Sequence, residues 1–224
     1  MAQAPRWPVA VAAALTFGAG ALDVLALTRL GGVFASVMTG NLALLGIGLA
    51  HLDIATAVHT GTAITGYACG VAVGARIVAQ PAHRSLVWPK AVTATLTIEG
   101  LLLLVFAAGW AIDTAPTAAV RTALLVLAAT SMGLQSAAVR GLGVPLATTY
   151  LTGTVTALIA ERTSRSDRPT DAAGIAAVVA AVVGAAAAGV TLTTAPQAAP
   201  LLCVCPLAAV LAVVAYRQRS PHGS

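Results

Sequence analysis

Apolar residues run along this chain in long, nearly unbroken stretches, and the gaps between them hold most of the proline and charge. The stretches fall at about residues 8–28, 33–50, 56–79, 88–110, 117–139, 144–160, 171–192 and 200–216. About 20 apolar residues, rising 1.5 Å each as a helix, cross a hydrocarbon core of roughly 30 Å. The 224 residues therefore suffice for some six to eight segments joined by short loops, with no room for a separate soluble domain. The second and sixth stretches are short. The first, which follows Arg6 and runs into Ala19, Gly20 and Ala21, superficially resembles a cleavable secretory signal.

An internal repeat argues against cleavage. Laying the first half over the second at an offset of 113 puts Thr39 and Gly40 on Thr152 and Gly153, Gly20 on Gly133, Gly61 on Gly174 and Ser36 on Thr149. The chain reads as one integral membrane domain, 1–224, made of two copies of a unit, 1–113 and 114–224. Residues 8–28 then correspond to the internal segment 121–141, so the first stretch is expected to stay in the mature protein.

Composition supports the membrane reading. Hydrophobic residues make up 58% of the chain and charged residues 8%, against about 25% charged in a soluble domain. The net charge of +5 comes from only twelve Lys and Arg that never form a run, and three Tyr and three Trp make no stacking platform, so nucleic acid is not an expected partner. Those charges report topology instead. Eight crossings would divide them seven to five between the two sides. If the short second and sixth stretches enter and leave on one side, all but Arg29 and Arg121 fall on a single face, ten against two. That is the bias expected of cytoplasmic loops.

The favoured fold is an all-α membrane protein with six transmembrane helices and two short re-entrant or broken helices carrying TG motifs. Its tandem repeats are then inverted and both termini cytoplasmic, a plan common among transporters and channels. Eight crossings remain the alternative, since 17 or 18 residues also cross a thin membrane.

The short stretches carry Met38-Thr39-Gly40-Asn41 and Leu151-Thr152-Gly153-Thr154. Thr and Asn are good helix N-caps, so both motifs read as half-helix starts whose tips meet near the midplane. Free N–H groups and a positive dipole end there need protein, water or a solute, which favours a small polar or anionic solute. The bland reading is close helix packing at Gly40 and Gly153, with the threonines bonded to their own helices.

Two carboxyls lie at depth, Asp23 in the first stretch and Glu99 near the middle of the fourth. Carboxylates within a span are costly and tend to face a cavity or partner. At helical spacing Thr16, Gly20 and Asp23 share a face, as do Thr95 and Glu99, and Ser131 and Gln135. These faces suit a polar path with Glu99 or Asp23 as a proton carrier; the alternative is carboxyls simply hydrogen-bonded to Thr and Ser. Gly66, Gly70 and Gly74 form a GxxxGxxxG stripe that admits a second helix backbone closely, with Ala180, Gly184 and Ala188 as its near equivalent, shifted by one residue. An internal contact is preferred over the seam of a homo-oligomer.

The run Gly20-x-x-Asp23, Phe34 with Met38-Thr39-Gly40-Asn41, and Gly133-Leu134-Gln135 with Leu151-Thr152-Gly153-Thr154 resembles the YoaK family of bacterial membrane proteins, a family of unknown function. The resemblance implies a multi-pass inner-membrane protein of about six spans and names no activity. Ser136 departs from it, standing where the family pattern has Asn, which puts an amide contact there in doubt.

No HExxH, GxSxG, Walker A or GxGxxG motif occurs, so no enzymatic activity, cofactor or metal is expected. Cys69, Cys203 and Cys205 read as packing residues. Two functions remain: a small channel or secondary transporter for a small polar or anionic solute, and a non-transporting membrane protein such as an assembly factor or sensor. The partner common to both is the lipid bilayer.

Overall fold

The computed structural model describes residues 7–79, 88–112, 117–142 and 172–219, with the isolated helical residues Gly153, Val155, Thr156 and Ile159. Among them the regular elements are all helical: α1 (Trp7–Arg29), α2 (Met38–Ala50), α3 (Ile54–Val78), α4 (Lys90–Ile112), α5 (Ala118–Gly141), α6 (Ala172–Thr194), a 3-10 turn (Pro196–Ala198) and α7 (Leu201–Arg219). Lipid offers no partner for backbone N–H and C=O groups, so an apolar segment satisfies them within its own helix. Threonines in these segments do the same. The hydroxyls of Thr28, Thr97, Thr122 and Thr191 each donate to the carbonyl four residues earlier. Side chains also mark helix starts: Asp53 accepts from the backbone N–H of Thr56 ahead of α3, and Thr117 from that of Val120 ahead of α5.

Six helices are long and apolar enough to cross a bilayer; α2, with 13 residues, is not. The protein is a multi-pass membrane protein. Contacts between helix ends show how the short helix is accommodated. Just past α1, Gly31 lies so close to the His59 ring near the start of α3 that a Cβ there would sit 2.7 Å from it, and the φ of +115° independently calls for glycine. The end of α1 and the start of α3 are thus neighbours, and α2 leaves and returns on one side of the bundle.

At the opposite end Trp7 of α1 packs on Trp88 ahead of α4, ring centroids 5.4 Å apart, and the Arg217 guanidinium of α7 lies 5.6 Å from the Trp7 centroid. Trp110, closing α4, donates its indole N–H to the Pro196 carbonyl ahead of α7. Following the helices through these contacts, Arg76, Lys90, Arg140, Arg217 and Arg219 gather at the Trp7 end, and Arg29 and Arg121 at the other. The sixth apolar stretch, 144–160, lies outside the described residues apart from its isolated members.

Two close helix crossings hold the bundle together. α3 runs parallel to α5, with Gly66 against Ala129, Gly70 against the Thr130 carbonyl, Gly74 against Ala137 and Val78 against Gly141. The glycine stripe is therefore an internal contact. α1 packs on α6, where Gly20 meets the Ala181 carbonyl and Gly184 meets the Phe17 carbonyl. The α3–α5 counterparts are Gly133 against the Tyr67 carbonyl and Gly70 against that of Thr130. Phe17 and Gly20 lie 113 residues before Thr130 and Gly133, whereas Tyr67 and Gly70 lie 114 before Ala181 and Gly184. Such seams have no hydrophobic drive in lipid and rest on close van der Waals contact between small residues.

Candidate functional site

Two polar clusters form inside the bundle, each built around a carboxyl. The first fastens the loop ahead of α2. Asp23, six residues before the end of α1, accepts from the Ser36 backbone N–H at 2.7 Å and the Ser36 hydroxyl at 2.6 Å. Asn41 sits one turn into α2, fully buried. Its Oδ1 accepts from the Phe34 N–H at 2.9 Å and its Nδ2 donates to the Phe34 carbonyl at 2.7 Å, so one side chain meets both backbone groups of one residue.

This geometry corrects the expectation for the first TG motif. The residue capping α2 is Val37, with no side-chain hydrogen bond, and neither Thr39 nor Asn41 serves as N-cap. Thr39 is exposed, Gly40 lies against the Phe34 ring, and Asn41 is tied to the loop. The start of α2 is also not at the midplane: six residues of α1 place Asp23, and Ser36 with it, about 9 Å in from the end of that helix. Of the second motif, Thr152 and Thr154 lie outside the described residues. Gly153 is helical and exposed, with open space where a Cβ would be.

The second cluster lies deeper. Glu99 is the tenth of the 23 residues of α4, fully buried, and its Oε1 accepts from Gln135 Nε2 of α5 at 2.9 Å. Among the described residues three buried atoms have no hydrogen-bond partner: Glu99 Oε2, Gln135 Oε1 and Ser131 Oγ. Beside the pair, α1, α4, α5 and α7 leave a crevice lined by Leu15, Gly18, Leu103, Met132, Cys203 and Leu207, among others, without room for a water molecule. Thr16 and Thr95, expected on the same polar faces, turn their hydroxyls back to the carbonyls of Ala12 and Ala91. Gly20 packs against α6 rather than lining a path. On the predicted face of Ser131 and Gln135 it is Gln135 that meets Glu99, whereas Asp23 is engaged by Ser36. Ser136 accepts from the Tyr67 hydroxyl at 2.8 Å, a contact that joins α5 to α3.

The role of Ser36 and the pairing of Asn41 with Phe34 were not anticipated from the sequence. Its one signal was the alignment of Ser36 with Thr149 in the second half.

The comparisons with known proteins agree with this architecture. The family described as "Protein of unknown function (DUF1275)" matches residues 11–214. The chain belongs to the DUF1275 family. A curated DUF1275-like relative, the UPF0700 transmembrane protein YoaK of Bacillus subtilis (strain 168), is 34% identical over 152 residues, which are 67% of this chain and 65% of that protein's length. No solved structure matches the chain. Both clusters and both close crossings fall within the matched residues 11–214.

Proposed function

We propose that this DUF1275 protein is a small secondary transporter or channel for a small polar solute in the bacterial plasma membrane, with both termini in the cytoplasm. The observation that carries the reading is the Glu99–Gln135–Ser131 cluster. A carboxyl and an amide that meet deep among apolar helices, with the unpartnered Ser131 hydroxyl on the same helix face as the amide, are costly in a purely structural role and suit a site that binds something passing through. The matched spacing of the two glycine crossings supports inverted repeats, and the single-sided path of α2 supports three crossings per half. The excess of arginine at the Trp7 end supports the orientation.

The expectation of an anionic solute rested on free donors at the tips of the short helices. With Asp23 taking up the Ser36 donors, and acceptors dominating around Glu99, the cluster favours a neutral or cationic solute. The second reading, a non-transporting assembly factor or sensor, draws on the Asn41 clasp and on the tightness of the crevice. Purified protein in proteoliposomes, screened with small polar solutes by uptake and by an internal pH dye, separates the two. Transport predicts a flux that falls at least tenfold in Gln135→Leu and survives in Thr39→Val. If no solute in a panel of neutral, cationic and anionic compounds moves or raises the melting temperature, the transport reading fails.

A further inference from the structure

We infer that Glu99 and Gln135 form a carboxylic acid–amide pair holding one proton in the middle of the bundle, a proton-binding site distinct from the Asp23 cluster. The argument is a count of donors. Asp23 faces donors, the N–H and O–H of Ser36, and an ionised carboxylate suits that setting. Glu99 receives a single donor, Gln135 Nε2, whereas its Oε2 and Gln135 Oε1 are both acceptors left without a partner. No water fits in the adjoining crevice to supply the missing hydrogen.

One proton on Oε2 removes the mismatch. A carboxylic acid and a primary amide each carry one donor edge and one acceptor edge, so the acid O–H can be given to Gln135 Oε1 while Gln135 Nε2 gives to Glu99 Oε1. Exchanging the oxygen and nitrogen of Gln135 reverses the partners and leaves the count unchanged.

Among the described residues the surroundings offer no other source of neutrality. On α5 the facing groups are the neutral Gln135 and Ser131. On α7 it is Cys203, which lines the same crevice as Glu99. On α1 the charged groups are Asp23, of the same sign as an ionised Glu99, and Arg29, exposed at the end of the helix. α3 meets α4 where Gly74 lies against Thr95, and its Arg76 is exposed. Losing the proton breaks the Oε2–H bond, hands the proton to water or to a basic group of a solute, and leaves the charge on Glu99 with one donor from Gln135. That step requires the crevice to open. The inference stands apart from transport, since the same pair holds its proton in a protein that moves nothing.

The test uses the full chain in lipid, labelled with carbon-13 at the glutamate carboxyl, because the chain has only two glutamates, Glu99 and Glu161. At neutral pH one of the two carboxyl resonances is expected at the protonated position, absent in Glu99→Gln and retained in Glu161→Gln. If Glu99→Gln does not fold, Glu161→Gln alone decides, because its one remaining signal is Glu99. Two ionised signals at neutral pH, or an acid signal that disappears in Glu161→Gln, would overturn the proposal. Neither outcome depends on whether the proteoliposome assay detects a solute.

Discussion

Replacing Asn41 by Leu keeps a side chain of similar size and strips the Phe34 backbone of both its partners. A buried donor or acceptor left unpaired costs about 1–3 kcal/mol, so Asn41→Leu should lower the melting temperature in detergent clearly. Thr39→Val, two residues away and exposed, should stay within about 0.5 kcal/mol of the parent. Equal melting temperatures for the two variants would mean that the clasp does not hold the loop. Asp53 offers a pH-dependent case outside the spans. The Thr56 hydroxyl and N–H hold its carboxyl below the usual range, so its contribution is complete above the unfolded value and disappears as the pH falls through the lower folded one. Thermal melts from pH 6 down to strong acid should therefore show a small acid loss that Asp53→Asn lacks. At this scale the sequence made Asp23, Glu99 and Gln135 visible, because charge and amide stand out against apolar surroundings. It did not reveal their partners, since Glu99 and Gln135 are 36 residues apart on different helices and Asp23 is claimed by a loop.

The helix elements test the seams. Gly70 faces the Thr130 carbonyl so closely that a Cβ has no space, whereas Gly46 on α2 has nothing near it. Gly70→Leu should destabilise by at least the roughly 1–3 kcal/mol typical of overpacking, and Gly46→Leu should be nearly silent, read as folded yield by size-exclusion chromatography. Gly48 is no control of this kind, because its added Cβ would lie 3.0 Å from the Ala57 nitrogen. The long helices and the glycine stripe were legible, since twenty apolar residues and a four-residue spacing are local signals. The start of α2 at the Met38-Thr39-Gly40-Asn41 motif was legible as well, but not what holds it there. Residues 33–37 are apolar enough to extend the helix, and what keeps them out of it is the combined hold of Asp23 on Ser36 and Asn41 on Phe34, with Gly31 and Gly32 turning the chain at positive φ.

For the whole molecule, the path of α2 fixes which surfaces share a side. In a background with the native cysteines removed, single cysteines at Lys90 and Arg219 should react with an impermeant reagent from one face of the membrane, and those at Leu52 and Gln197 from the other. All four positions are exposed. Reaction of Leu52 from the Lys90 face would mean that α2 crosses and that the crossing count is wrong. The two glycine crossings also have a consequence for how the protein is made. Gly20 finds its seat on Ala181, a residue added 161 positions later, whereas Tyr67 meets Gly133 after 66. At about 5–20 residues per second, the ribosome finishes the α3–α5 contact within roughly 3–13 s of emitting α3, but the bared face of α1 waits roughly 8–32 s for α6. Through that interval a newly inserted α1 lies against lipid or an insertion factor, and a chain stalled before residue 181 leaves it there for good.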